Sequence, residues 1–189
     1  NGCNYAERLS GGIDALDFNL SFNFSDAVYL GVTLTTYDVD YRMESTYSES
    51  FSDGGYTLQN FYSTTGSGYD FKFGVILRPF VESSFRLGLS ATTPTVYSLR
   101  DCNSAIIDSE YSYYDEDKGQ MMTASFGMDT QSPDAYDGDC HTSYTMVAPA
   151  KYNISLGGTI GRSLALGAEY EYDNLGAIVL YDENGNADA

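Results

Sequence analysis

From Leu16 to Phe24 apolar and polar residues alternate one for one. Leu16, Phe18, Leu20, Phe22 and Phe24 share one face, and Asp17, Asn19, Ser21 and Asn23 the other. After a break at Ser25-Asp26 the alternation resumes with Val28, Leu30, Val32 and Leu34. A two-residue period predicts β-strand, and the break a tight hairpin. The same test predicts further strands, about six in all. Tyr69, Phe71, Phe73, Val75 and Leu77 oppose Asp70, Lys72, Gly74 and Arg78, with Ile76 out of phase. Phe85, Leu87, Leu89 and Ala91 oppose Arg86, Gly88 and Ser90. Near the end, Tyr152, Ile154, Leu156 and Ile160 oppose Lys151, Asn153, Ser155 and Thr159. Leu164, Leu166, Ala168, Tyr170 and Tyr172 then oppose Glu169 and Glu171.

The connections predict the architecture. Ser25-Asp26, Val81–Ser84 and Gly161–Ser163 are short, whereas 42–67 and 94–149 are polar excursions expected to be long loops. Short and long connections alternate between the rims of an outer-membrane barrel, short turns on one side and long external loops on the other. The polar faces collect Asp17, Lys72, Arg78, Arg86, Lys151, Glu169 and Glu171, charges that no dry core accepts unpaired. The apolar faces then need another cover: a second sheet in a sandwich, or lipid in a barrel. Aromatics gather toward strand ends and Leu, Val and Ile toward strand middles, as interfacial girdles around a hydrocarbon band require. The expected fold is therefore all-β: an antiparallel up-and-down transmembrane β-barrel, with 1–189 part of one barrel domain.

Composition fits this picture. Tyr (18) and Phe (10) are abundant, Trp is absent and Pro is scarce, which suits strands with aromatic anchors. A net charge of −18 with nine Lys plus Arg leaves no basic stripe to neutralise phosphates, so nucleic acid is not an expected partner. No run reaches the ~18 apolar residues of a spanning helix, which leaves strands as the only way across a bilayer. The opening NGCNYAERLSGG has neither the basic start nor the apolar stretch of a signal peptide.

At GSGYDFKFGVILRP, FRLGLSATTPTVYSLRD and PAKYNISLGGTIGRSLALGAEYEYDN the chain resembles the C-terminal half of FadL-like outer-membrane transporters of Bacteroides type. The resemblance spans roughly Ala15 to Tyr181, and its strongest part is strand, short turn, strand, TPT and a long excursion. It implies passive transport of long-chain fatty acids or other hydrophobic compounds through a 14-stranded barrel with an N-terminal plug and a lateral opening. The early strands, the plug and a terminal aromatic strand are missing from that pattern. The chain is therefore expected to be a segment of a larger protein, or an incompletely traced one.

Candidate chemistry is sparse. Lys72, Arg78, Arg86 and Lys151 could attract a carboxylate headgroup in the lumen, with Glu169 and Glu171 pairing them; the alternative is an ion-pair network that only solvates the interior. Cys102 and Cys140 bracket the longest excursion and are a candidate disulfide, worth ~3–4 kcal/mol if it closes that loop. The alternative is two unpaired thiols, and Cys3 is left over. Acidic clusters at Asp115, Glu116 and Asp117, at Asp134, Asp137 and Asp139, and at Asp182, Asn184, Asn186 and Asp188 lack full calcium-loop spacing and read as solvated loops. His141, the single histidine, stands beside Asp139 and Ser143 without a nucleophile elbow, so no catalytic triad is expected. Gly66-Ser67-Gly68 has no following helix to make a phosphate cradle and is expected to end a loop.

These residues predict no enzyme, cofactor or metal. The expected place is the outer membrane of a Gram-negative bacterium, in contact with lipid, lipopolysaccharide and a hydrophobic cargo. Two rivals stay open: a surface adhesion or binding protein using acidic, Tyr-rich loops, and a soluble β-sandwich adhesin.

Overall fold

The computed structural model describes residues 2–80, 82–131, 141–161 and 163–188. The chain is all-β. Its strands are β1 (Gly2–Phe24), β2 (Val28–Phe51), β3 (Gly54–Leu77), β4 (Arg86–Thr92), β5 (Thr95–Asp115), β6 (Gln120–Asp129), β7 (His141–Ala148), β8 (Lys151–Ile160), β9 (Leu164–Asp173), β10 (Val179–Tyr181) and β11 (Ala187–Asp188). All lie in one antiparallel sheet; β2 joins β1 to β3, β3 meets β5 and β4, and β4 continues through β8 to β9. Among the described residues β1 pairs only with β2, and β9 only with β8.

The alternation located the turn ends well. β1 ends at Phe24 and β2 starts at Val28, around a turn closed by Ala27 N donating to Phe24 O (3.1 Å). Ser25 (φ 53°) and Asp26 (φ 55°) are both left-handed, the type I′ geometry whose twist matches that of a hairpin. Asn23 holds this turn, accepting from Asp26 N (3.1 Å) and donating to Asp26 Oδ1 (2.7 Å).

The long loops are corrected. Most of 42–67 is the far end of β2 and the near end of β3, joined by a turn at Ser52-Asp53. Most of 94–149 is β5, β6 and β7, with a turn at Glu116–Gly119; residues 132–140 lie outside the described residues. β4 and β5 are interrupted at Thr93-Pro94, and β7 and β8 at Pro149-Ala150. Proline has no N–H to give a ladder, so it interrupts strands.

Two compact units share these strands. The described residues of Asn1–Ile13, Val39–Thr65 and Arg100–Ser143 form the first, and those of Asp14–Asp38, Gly66–Leu99 and Tyr144–Ala189 the second. In the first, Tyr41 packs edge-on to Tyr62 (6.2 Å) and Tyr47 lies against Tyr56 (5.8 Å).

In the second unit the register stacks the apolar side into rows. Phe73, Ala91, Tyr152 and Tyr172 form one row, Val75, Leu89, Ile154 and Tyr170 the next, and Leu77, Leu87, Leu156 and Ala168 the third. Much of these rows lies open among the described residues: Phe73, Leu89, Ile154, Leu156 and Tyr170 are exposed, Tyr170 by 65%. Among the described residues the only buried apolar side chains are Val39 and Leu99.

Gly66 and Gly68 do not end a loop, as expected, but sit inside β3. A Cβ on Gly66 would lie 2.1 Å from Ser98 O and 3.0 Å from Leu99 Cδ2, and one on Gly68 would lie 2.4 Å from the Tyr97 ring. The missing side chains make room for Leu99 and Tyr97. Gly66→Ala should therefore destabilise the sheet by ~1–3 kcal/mol through overpacking, read as a lower urea midpoint at unchanged slope.

Candidate functional site

The polar side of the second unit holds the charged residues picked out by the alternation. Lys72 and Lys151 share one row, since Lys72 pairs with Thr92 and Thr92 with Lys151. At ~4.8 Å per strand, two strands put them roughly 10 Å apart. Each has a carboxylate: Lys72 Nζ is 3.9 Å from Asp17, and Lys151 Nζ is 3.4 Å from Asp173. Glu169 and Glu171 are not their partners, which corrects the expected pairing. Glu169 instead accepts a short hydrogen bond from Asn153 Nδ2, and Glu171 stands opposite Asn153. Arg78 and Arg86 flank the Leu77–Leu87 pair at the turn end of the β3–β4 hairpin, and Arg78 Nε donates to Ser83 O (3.3 Å). The six residues thus divide between a lysine row, an arginine pair and a glutamate edge.

A tighter cluster escaped the sequence reading. Asp70, on β3, is only 2% exposed, and Thr35, on β2, is fully buried. Asp70 Oδ2 accepts from Tyr37 Oη (2.9 Å) and from Thr95 Oγ1 (2.8 Å). Tyr37 and Tyr97 lie 5.4 Å apart, tilted by 46°. Asp70 Oδ1 and Thr35 Oγ1 are sealed from solvent and have no hydrogen-bond partner in the protein. The sequence signal was faint: an aspartate on the polar parity of β3, two residues from a glycine and two from a lysine.

The other side of this unit carries a groove of about 690 Å³, lined by Leu30, Val32, Phe73, Leu89, Ile154 and Tyr170 among others. It contains no charged residue.

The remaining constellations resolve as follows. Cys102 is disulfide-bonded and Cys3 is a free, exposed thiol; Cys140 lies outside the described residues. Asp115 accepts from Lys118 N (3.1 Å) and pairs with Lys118 Nζ (3.4 Å), which closes the β5–β6 turn. Asp134, Asp137 and Asp139 lie outside the described residues. Asp182 accepts from Asn184 N, Asn186 N and Asn186 Nδ2, and these bonds, those of Asn186 first, hold its carboxyl below the usual range. His141 opens β7. Among the described residues no three His, Cys, Asp or Glu side chains converge on a metal position.

In the first unit Glu49 Oε2 accepts from both Tyr47 (3.2 Å) and Tyr56 (3.1 Å). The bond to Glu49, and then that to Tyr56, push the Tyr47 phenol up to about 12.

No protein-family profile, curated protein or solved structure matches the chain.

A raised phenol supports folding while it is protonated, so Tyr47's contribution is complete below pH ~10 and is lost as pH rises through about 12. The tyrosinate difference spectrum between the parent and Tyr47→Phe should show this late component. Glu49→Gln should move it toward the ordinary tyrosine value.

Proposed function

We propose that this chain is a membrane-embedded part of an outer-membrane β-barrel that passes hydrophobic compounds, such as long-chain fatty acids, by passive diffusion. One observation carries the membrane part. Along β2 the buried positions Thr35, Val39 and Ser45 keep one parity throughout. The opposite, outward parity changes chemistry: Val28, Leu30, Val32 and Leu34 give way to Asp38, Asp40, Arg42 and Glu44. Arg42 and Asp40 pair on that side at 3.2 Å while both stay exposed. One side of one strand thus meets two solvents, an oily one and an aqueous one. A second sheet of the same protein would give no reason for such a boundary; the edge of a bilayer does.

The second unit agrees with this. β8 and β9 have 10 residues each, the length of a tilted strand crossing the hydrocarbon core, ~9–11 residues. Phe73, Tyr152 and Tyr172 form an aromatic row at one end of the apolar band, and Phe22, Phe24 and Phe85 lie at the turn end. The soluble sandwich loses ground, because all described strands belong to one sheet and its apolar side is exposed.

Transport rests on the resemblance together with a polar side fit to border a lumen. The carboxylate-paired lysines of that side are suited to guide an anionic headgroup. A surface-binding role draws support from a polar groove of about 830 Å³ in the first unit, whose lining includes Tyr56, Asp108 and Glu110.

Two experiments test this proposal. Ile154→Arg puts a charge amid the apolar rows and should cost ~2–4 kcal/mol of stability in lipid, whereas Asn153→Arg, one residue away on the polar side, should cost far less. Flotation with phospholipid vesicles and urea unfolding in them read both. Equal effects, or a chain that stays soluble and monomeric without detergent, would exclude the bilayer. For transport, Lys72→Glu or Lys151→Glu should slow whole-cell uptake of a fatty acid more than that of an uncharged hydrocarbon analogue. Unchanged uptake of both would remove the headgroup role.

A further inference from the structure

We propose that β1 of one copy of this chain pairs with β9 of a second copy, so that two copies complete one barrel. This closure rests on the bilayer reading above, since hydrocarbon offers no partner to the N–H and C=O groups of an open sheet edge. In the second unit, among the described residues, β1 pairs only with β2 and β9 only with β8. Both edges are bare: every residue from Asp14 to Phe24 is exposed, as is every residue of β9 except Asp173.

Direction and number favour this partner. Neighbours in the order β1-β2-β3-β4-β8-β9 run antiparallel, so the first and last of these six strands run opposite ways and suit an antiparallel ladder. β1 ends at Phe24 and β9 begins at Leu164, both at the short-turn end of the sheet. Six strands fall short of the smallest outer-membrane barrels, which have about 8. Two copies bring twelve, an even number within the natural range. Each copy then gives β1 to one seam and β9 to the other, related by a two-fold axis.

The side chains of the two edges match. Asp17 reaches Lys72, whose row runs through Thr92 and Lys151 to Asp173, so Asp17, Asn19 and Ser21 share the polar side with Glu169 and Glu171. On the other side Phe18, Leu20 and Phe22 face Leu166, Ala168 and Tyr170, apolar on both strands. Along the polar side one edge offers donors and the other acceptors. Asn19 uses Oδ1 to accept from Thr33 (2.6 Å), which leaves its amide hydrogens, and Ser21 adds a hydroxyl. Among the described residues Glu171 has no ion pair, and Glu169 accepts only from Asn153. Asp17 and Asp173 already have Lys72 and Lys151. A seam of β9 on β9 would instead set glutamate against glutamate, and like charges across a ladder destabilise it.

The test uses the full chain in detergent micelles, with Cys3→Ser to remove the free thiol. Light scattering should give the protein mass of two copies. Asn19→Cys and Glu169→Cys proteins, refolded together and treated with a short bismaleimide, should form a covalent dimer that neither forms alone. Asn19→Asp with Ser21→Asp turns carboxylates toward Glu169 and Glu171, and should raise the dissociation constant of the pair about tenfold. Asn19→Thr with Ser21→Thr, which keeps hydroxyl donors, should leave it nearly unchanged. A single-copy mass in protein that still floats with phospholipid vesicles overturns this inference alone, because other strands then cover the edges. So does a covalent dimer from Asn19→Cys by itself, or a link formed inside one chain that carries both cysteines. A chain that does not float removes the bilayer reading and this closure together. Should the aspartate variant not fold, the mass and the mixed cross-link decide.

Discussion

Side chains leave a β-strand alternately to opposite sides, so neither side of this sheet can change its surroundings without a change of composition at that height. The rest of the structure follows from this constraint. Where one side carries Leu, Val and Ile in register from strand to strand, the other carries Asp, Lys, Asn and Glu. No buried core separates the two in the usual sense, because Val39 and Leu99 are the only buried apolar side chains among the described residues. Stability comes instead from ladder hydrogen bonds, cross-strand contacts and whatever medium covers the oily rows.

The rule also explains how far the sequence could be read. Strand segments with an apolar side and a polar side were legible almost to the residue: Phe24, Val28, Leu77, Ile160 and Leu164 are observed strand ends. Their continuations were not. In β2 beyond Leu34 the larger residues Tyr37, Val39, Tyr41, Met43 and Tyr47 lie on the parity that had been polar, and the charges move to the parity that had been apolar. A search for one persistent oily side loses the strand at that inversion and finds a loop. In β5 and β6 Ser, Thr, Tyr and Asp occupy both sides, and the period fades altogether.

The site was legible in kind but not in pairing. Alternation put Lys72, Lys151 and Asp70 on the polar side, which the strands require. It could not say that Lys72 would reach Asp17, that Lys151 would reach Asp173, or that Thr35, Thr95 and Tyr37 would close around Asp70. Those meetings depend on which strands are neighbours and in what register. Local periodicity carries neither fact.

The space above Gly68 has a consequence for how this chain can vary over time. The ring of Tyr97 occupies the volume that any side chain at 68 would need, and that same ring stacks with Tyr37 near Asp70. Positions 68 and 97, on different strands, therefore behave as one steric unit. A lineage that gained bulk at the first would have to shed it at the second, and in doing so would strip the aromatic shelter from the carboxylate. Drift at a residue with no side chain is in this way tied to the fate of a buried charge.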